Sequence, residues 1–82
     1  MNRKQQLIEQ LKSNYSGLRP SEQRVADLLL QDPEAFRTMS SMEIAVEAGV
    51  GEATISRVCK AVGLRGFREL RDQLGDRNAA PG

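Results

Sequence analysis

Residues 49–63 read GVGEATISRVCKAVG, a helical pattern in which a Thr, a Ser and an Arg interrupt an apolar stripe. Ile55, Val58, Cys59 and Val62 recur at spacings of three and four, so they share one helix face. Gly51 precedes that helix at the position where Ser, Thr, Asp or Asn is the usual cap, and Gly63 stops it. Immediately upstream, Ser40-Ser41-Met42-Glu43 fits a capping box with Ser40 as cap and Glu43 reaching back. Ile44, Ala45 and Ala48 then lie on one face, and Gly49 is a natural left-handed C-cap. Two short helices joined by Gly49, Val50 and Gly51 are the sequence form of a helix-turn-helix, over about residues 41–61. Ala45 is small where the helices must cross, Val50 plugs the core from the turn, and Ile55 and Val58 bring the second helix back onto the first.

The rest of the chain surrounds this pair with further helices. Leu7, Ile8 and Leu11 predict a first helix from 3 to about 14, ending at the turn-like NYSG of residues 14–17. Pro20 suits the first turn of a second helix over about 20–31, with Leu18, Val25, Leu28 and Leu29 as its apolar set. Asp32-Pro33-Glu34 restarts the chain, Asp32 capping and Glu34 favouring the helix dipole, for one or two turns through Phe36. Gly66-Phe67 opens a last helix with Phe67, Leu70 and Leu74 on one side. The ending GDRNAAPG lacks apolar periodicity, so the domain is expected over 1–76 with a linker or tail at 77–82. No strand signal competes. The expected fold is all-α, a small bundle of five to six helices containing a homeodomain-like helix-turn-helix.

Composition narrows the function. Eighty-two residues make one small domain, too short for an enzyme with separate substrate and cofactor lobes. There is no His and only one Cys, Cys59, which removes the commonest general base, the commonest metal ligand and any intramolecular disulfide. No enzyme, no cofactor and no metal are expected. The polar N-terminus MNRKQQLIEQLK is unlike a secretory signal and no run approaches a membrane span, so the expected location is cytoplasmic. The net charge is only +1, but it divides unevenly. Residues 21–52 carry two basic and seven acidic groups, whereas residues 53–72 carry five basic and two acidic. The second segment therefore offers a local positive face.

With the apolar stripe turned inward, helical geometry assigns Glu52, Ala53, Thr54, Ser56, Arg57 and Lys60 to the opposite face. These side chains are small, hydrogen-bonding or cationic, which suits a major groove. Arg pairs bidentately with guanine, Ser and Thr bond base edges or phosphate, and Ala53 or the Thr54 methyl can touch a thymine methyl. Lys60 suits a phosphate, and Arg65, Arg68 and Arg71, which could merely balance Glu69 and Asp72, lie near enough to this helix to suit phosphates as well. Cys59 reads as a small core residue rather than a redox sensor, since no second Cys or His is present to lower its pKa or resolve it.

These pieces occur in an order that resembles a known family. From LRPSEQRVADLLLQDPEAF through TMSSMEIAVEAGVGEATISRVCKAVGLRGFREL, residues 18–70 resemble the N-terminal domain of the RpiR family of bacterial sugar-metabolism regulators. SEQRVADLLLQDP is similar to the family's Ser-Glu-Arg-x-Val-Ala helix and following Asn/Asp-Pro start. EATISRVCKAVG is similar to its reading helix, and GLRGFREL to its Gly-Phe-x-Gly-Phe-x-Glu-Leu ending. The resemblance implies a cytoplasmic transcription factor, commonly a repressor, that binds a palindromic operator in double-stranded DNA as a homodimer or higher oligomer. It also implies a C-terminal sugar isomerase domain that binds a phosphosugar effector. This chain is expected to be the isolated DNA-binding part, with NAAPG opening the connecting linker.

Two positions depart from the family pattern: Gly51 where Ser is usual, and Leu64 where Phe is usual. A Ser hydroxyl at 51 could have reached the DNA backbone, although the Gly51 amide at the helix N-terminus can still bind phosphate. The expected base readers are thus Arg57, Thr54, Ser56, Ala53 and Glu52. The expected phosphate contacts are Ser40, Ser41, Gly51, Lys60, Arg65 and Arg68. The competing reading from another class is a helical adaptor that uses the same face to bind protein.

Overall fold

The computed structural model describes residues 3–75, and within them the chain forms six α-helices and one 3-10 turn. Prolines set two of the starts. Pro20 opens α2 (Pro20–Gln31) and Pro33 opens α3 (Pro33–Thr38), where a missing N–H costs nothing. Asp32 closes α2 and caps α3, its carboxylate accepting from Ala35 N at 3.1 Å. At the head of α2 the Glu22 carboxylate accepts from Arg19 N at 2.9 Å, which accounts for a Glu that is buried. The remaining elements are α1 (Arg3–Asn14), the 3-10 turn Tyr15–Gly17, α4 (Ser41–Ala48), α5 (Glu52–Ala61) and α6 (Phe67–Leu74). The expected helix-turn-helix at 41–61 is α4 and α5. Residues 77–82, expected as a tail, lie outside the described residues.

Helix α2 is the hub, packing against α3, α4 and α5, while α1 lies along α6. Leu7 and Leu11 of α1, Val25 and Leu29 of α2, Phe36 of α3, Ile44 of α4, Ile55, Val58 and Cys59 of α5, and Leu70 and Leu74 of α6 are almost fully buried. One core therefore draws on every helix. The expected apolar set holds, except that Ile8, Leu28, Val50 and Phe67 are only partly buried at its edge. The two Phe rings meet at 6.4 Å with a 56° tilt, an arrangement that puts a ring edge toward a ring face.

Both glycine caps close as their sequence positions suggest. Gly49 has φ +72°, and Val50 N returns to Ala45 O at 2.9 Å. Gly63 has φ +83°, and Leu64 N returns to Cys59 O at 2.9 Å. Each left-handed residue satisfies carbonyls that the helix leaves open. The buried Leu64 side chain seals the second cap.

Arg71 departs from expectation. It was grouped by sequence with the phosphate-facing arginines, but its guanidinium donates to Arg37 O at 3.2 Å and Met39 O at 2.9 Å. The same group lies 5.5 Å from the Phe67 ring centre. The open carbonyls at the end of α3 explain the position. It fastens α6 to α3.

Candidate nucleic-acid interface

Ser40 positions α4 by a reciprocal bond pair. Its Oγ accepts from Glu43 N at 3.1 Å, and the Glu43 carboxylate accepts from Ser40 N at 2.8 Å. Because that hydroxyl is used as an acceptor, its own proton stays available to a phosphate. Ser41 differs. Its Oγ donates to Glu52 Oε1 at 3.1 Å, so two expected DNA contacts hold each other across the turn.

Gly51 is the N-cap of α5, extended at φ −86° and ψ 161°, with no side chain to satisfy the first amides. A β-carbon added there would meet nothing within 4 Å. The open amides are the positive end of the helix dipole, so this end of α5 can accept an anionic oxygen.

Along α5 the inward stripe is Thr54, Ile55, Val58 and Cys59. Thr54 is a correction: it was expected on the outward face, yet it is only 8% exposed. It lies one turn before Val58, and residues four apart share a face. Its hydroxyl suggested a reader, but its position is decided by that spacing. Glu52, Ala53, Ser56, Arg57 and Lys60 are all exposed as expected. They form a small-residue face with a guanidinium in the middle and an ammonium in the last turn.

Arg65 and Arg68 are exposed at the start of α6, which packs beside α5. They share a surface hollow with Gly66, Glu69 and Asp72. The Glu69 carboxylate accepts from Arg65 N at 2.8 Å, so one of the two nearby acids is committed to capping α6. Both arginine head groups remain without an ion pair among the described residues.

Cys59 is buried, and burial pushes its thiol up from 9 to about 11. A thiol held this far from ionising is a core side chain and not a nucleophile. Among the described residues no cluster of His, Cys, Asp or Glu could hold a metal ion, and no helix is long and apolar enough to cross a membrane.

Comparison with known proteins gives this geometry a context. The chain is 37% identical over 68 residues to the HTH-type transcriptional regulator HexR of Pseudomonas aeruginosa, a match that covers 83% of this chain and 24% of that protein. It is 31% identical over 68 residues to the bifunctional protein glk of Paraburkholderia xenovorans, covering 83% of this chain and 11% of that one. Its fold matches the crystal structure of the N-terminal domain of ybbH from Bacillus subtilis with a TM-score of 0.80 and 31% identity, over 92% of both chains. The family profile of the rpiR helix-turn-helix domain matches residues 5–81. The chain therefore belongs to the rpiR family of helix-turn-helix domains.

Proposed function

We propose that this domain binds operator DNA sequence-specifically, with α5 in the major groove. The observation that carries the reading is the outward face of α5, where Ala53, Ser56 and Arg57 stand exposed on a helix whose other side is fixed in the core. A rigid helix presenting one guanidinium between small side chains can approach base edges closely, and Arg57 would pair with a guanine. Glu52 would accept from a cytosine amino group. Ser40, the open amides after Gly51, Lys60, Arg65 and Arg68 would contact phosphates, and Ser41 would do so only by releasing Glu52. Thr54 would seat the helix rather than read.

The longer protein would be a repressor of sugar or carbon metabolism genes, acting as a homodimer on a palindromic site and answering to a phosphosugar through a C-terminal domain. The family supports this reading, as does the regulator name carried by HexR. An adaptor using the same face lacks an apolar anchor there, because the exposed large apolar side chains, Met42 and Val46, are on α4.

Gel-shift titration at two salt concentrations tests the reading, with the operator first selected from random duplexes. Arg57→Ala should lose preference at one base position by about ten-fold or more while keeping nonspecific binding, since a bidentate pair is worth roughly 1–3 kcal/mol. Lys60→Ala should weaken all duplexes alike and flatten the salt slope by about one counterion. Unchanged selectivity in the Arg57 variant would sink the assignment.

A further inference from the structure

Helix α4 leaves two large apolar side chains in solvent: Met42 is 64% exposed and Val46 74% exposed. Residues four apart stack on one face of a helix, here the side away from buried Ile44, Ala45 and Ala48. With half-buried Met39 they line a shallow groove whose rim is Ser40, Glu43 and Glu47. Both charges on the rim are negative. Glu43 keeps one oxygen on Ser40 N, and Glu47 is exposed, with no hydrogen bond or ion pair among the described residues.

We propose that the groove docks a basic amphipathic helix of a protein partner. Charge decides the occupant. Beyond Ser40 at its edge, a DNA backbone running along the groove would meet the Glu43 and Glu47 carboxylates, and a second copy in a two-fold contact would set those two against their own equivalents, both repulsive. A helix with an apolar ridge flanked by Lys or Arg covers Met42 and Val46 and neutralises both rim charges at once. The flexible thioethers of Met39 and Met42 adapt to such a ridge.

Size sets the strength of the contact. Two exposed side chains offer a few hundred Å² at most, against roughly 800 Å² per partner in a free-standing complex. The groove therefore serves a neighbour already held close, and on the DNA-binding reading above that neighbour shares the duplex, where tethering supplies an effective concentration of about a millimolar.

The test is an NMR titration of the isotope-labelled 82-residue chain, without DNA, with a synthetic amphipathic helix of Leu and Lys and with its Leu and Glu counterpart. The Leu-Lys helix should shift amides centred on residues 39–47 with a dissociation constant near the millimolar range, and the Leu-Glu helix should not. Met42→Ser combined with Val46→Ser should weaken binding about ten-fold. Glu43→Gln combined with Glu47→Gln should weaken it several-fold and remove most of its salt dependence, and because Gln still completes a capping box, α4 stays formed in this second variant. Coupling the Leu-Lys helix to a duplex end beside the binding site should tighten the wild-type chain about two-fold, as an effective concentration equal to the dissociation constant requires, and leave the Met42/Val46 variant unmoved. Shifts spread over Glu22, Asp27 and Glu34, or equal binding by both variants, would overturn the proposal. So would self-association of the peptide-free chain that disappears in the Met42/Val46 variant, since the occupant would then be a second copy. Because the titration contains no DNA, its failure leaves the operator reading intact, and loss of that reading leaves the groove to stand on the peptide result.

Discussion

The Thr54 hydroxyl sits at the edge of the core, one turn before Val58, while Ser56 and Arg57 two and three residues on are exposed. Valine has the same branched shape, and in a helix it settles in one rotamer where threonine divides between two, so Thr54→Val replaces the hydroxyl with a methyl without adding bulk. Burying a methyl in place of a hydroxyl should raise unfolding free energy by about 1 kcal/mol, measured by urea denaturation, with operator selectivity unchanged. A loss of selectivity would return Thr54 to the base readers. The side-chain type misled the sequence reading here, because a polar residue inside a reading stretch suggests contact while its spacing to Val58 fixes it inward. Arg71 was illegible for a different reason. Its acceptors belong to residues 37 and 39, and no local pattern links a side chain to carbonyls more than thirty positions away. Glu22 carried a weak signal, since a Glu three residues after a helix cap is half of a capping box.

The turn between α4 and α5 holds two glycines with opposite requirements. Gly49 is left-handed, so a β-carbon there is strained, and Gly49→Ala should cost about 1 kcal/mol. Gly51 is extended with open space where a side chain would go. Gly51→Ser should therefore gain a few tenths of a kcal/mol through a new cap, and paired thermal melts of the two variants would show shifts of opposite sign. If the new hydroxyl also reaches a phosphate, the same variant binds operator more tightly at fixed salt. Helices α2 to α5 were legible as elements because their ends carry local chemistry: Pro20, Pro33, Asp32, Ser40, Gly49 and Gly63 each do at the backbone what their residue type allows, while α1 and α6 showed through their apolar spacing. Fine placement on each helix was less legible, since half-burial at Ile8 and Leu28 depends on which neighbours arrive.

At the scale of the whole molecule, one core joins all six helices and Cys59 is fully buried in it. Its raised pKa means that the unfolded thiol ionises from about pH 9 while the folded one stays neutral to about 11. Stability contributed by the buried thiol is thus complete below pH 9 and falls as pH climbs toward 11. Urea midpoints across that range should decline, less steeply in Cys59→Ala, and at pH 8 a thiol reagent should label native protein far more slowly than unfolded protein. The packing around α2 has a further consequence, for portability. Ile44, Ile55 and Val58 are buried in a bundle where α2 packs against both α4 and α5. Cut out as residues 41–61, the helix pair would expose its inner faces to water and, at two short helices, fall below the length at which isolated helices persist; circular dichroism should find it mostly coil. What can be transplanted to another protein as a working part is the entire bundle, with α5 as its least separable piece.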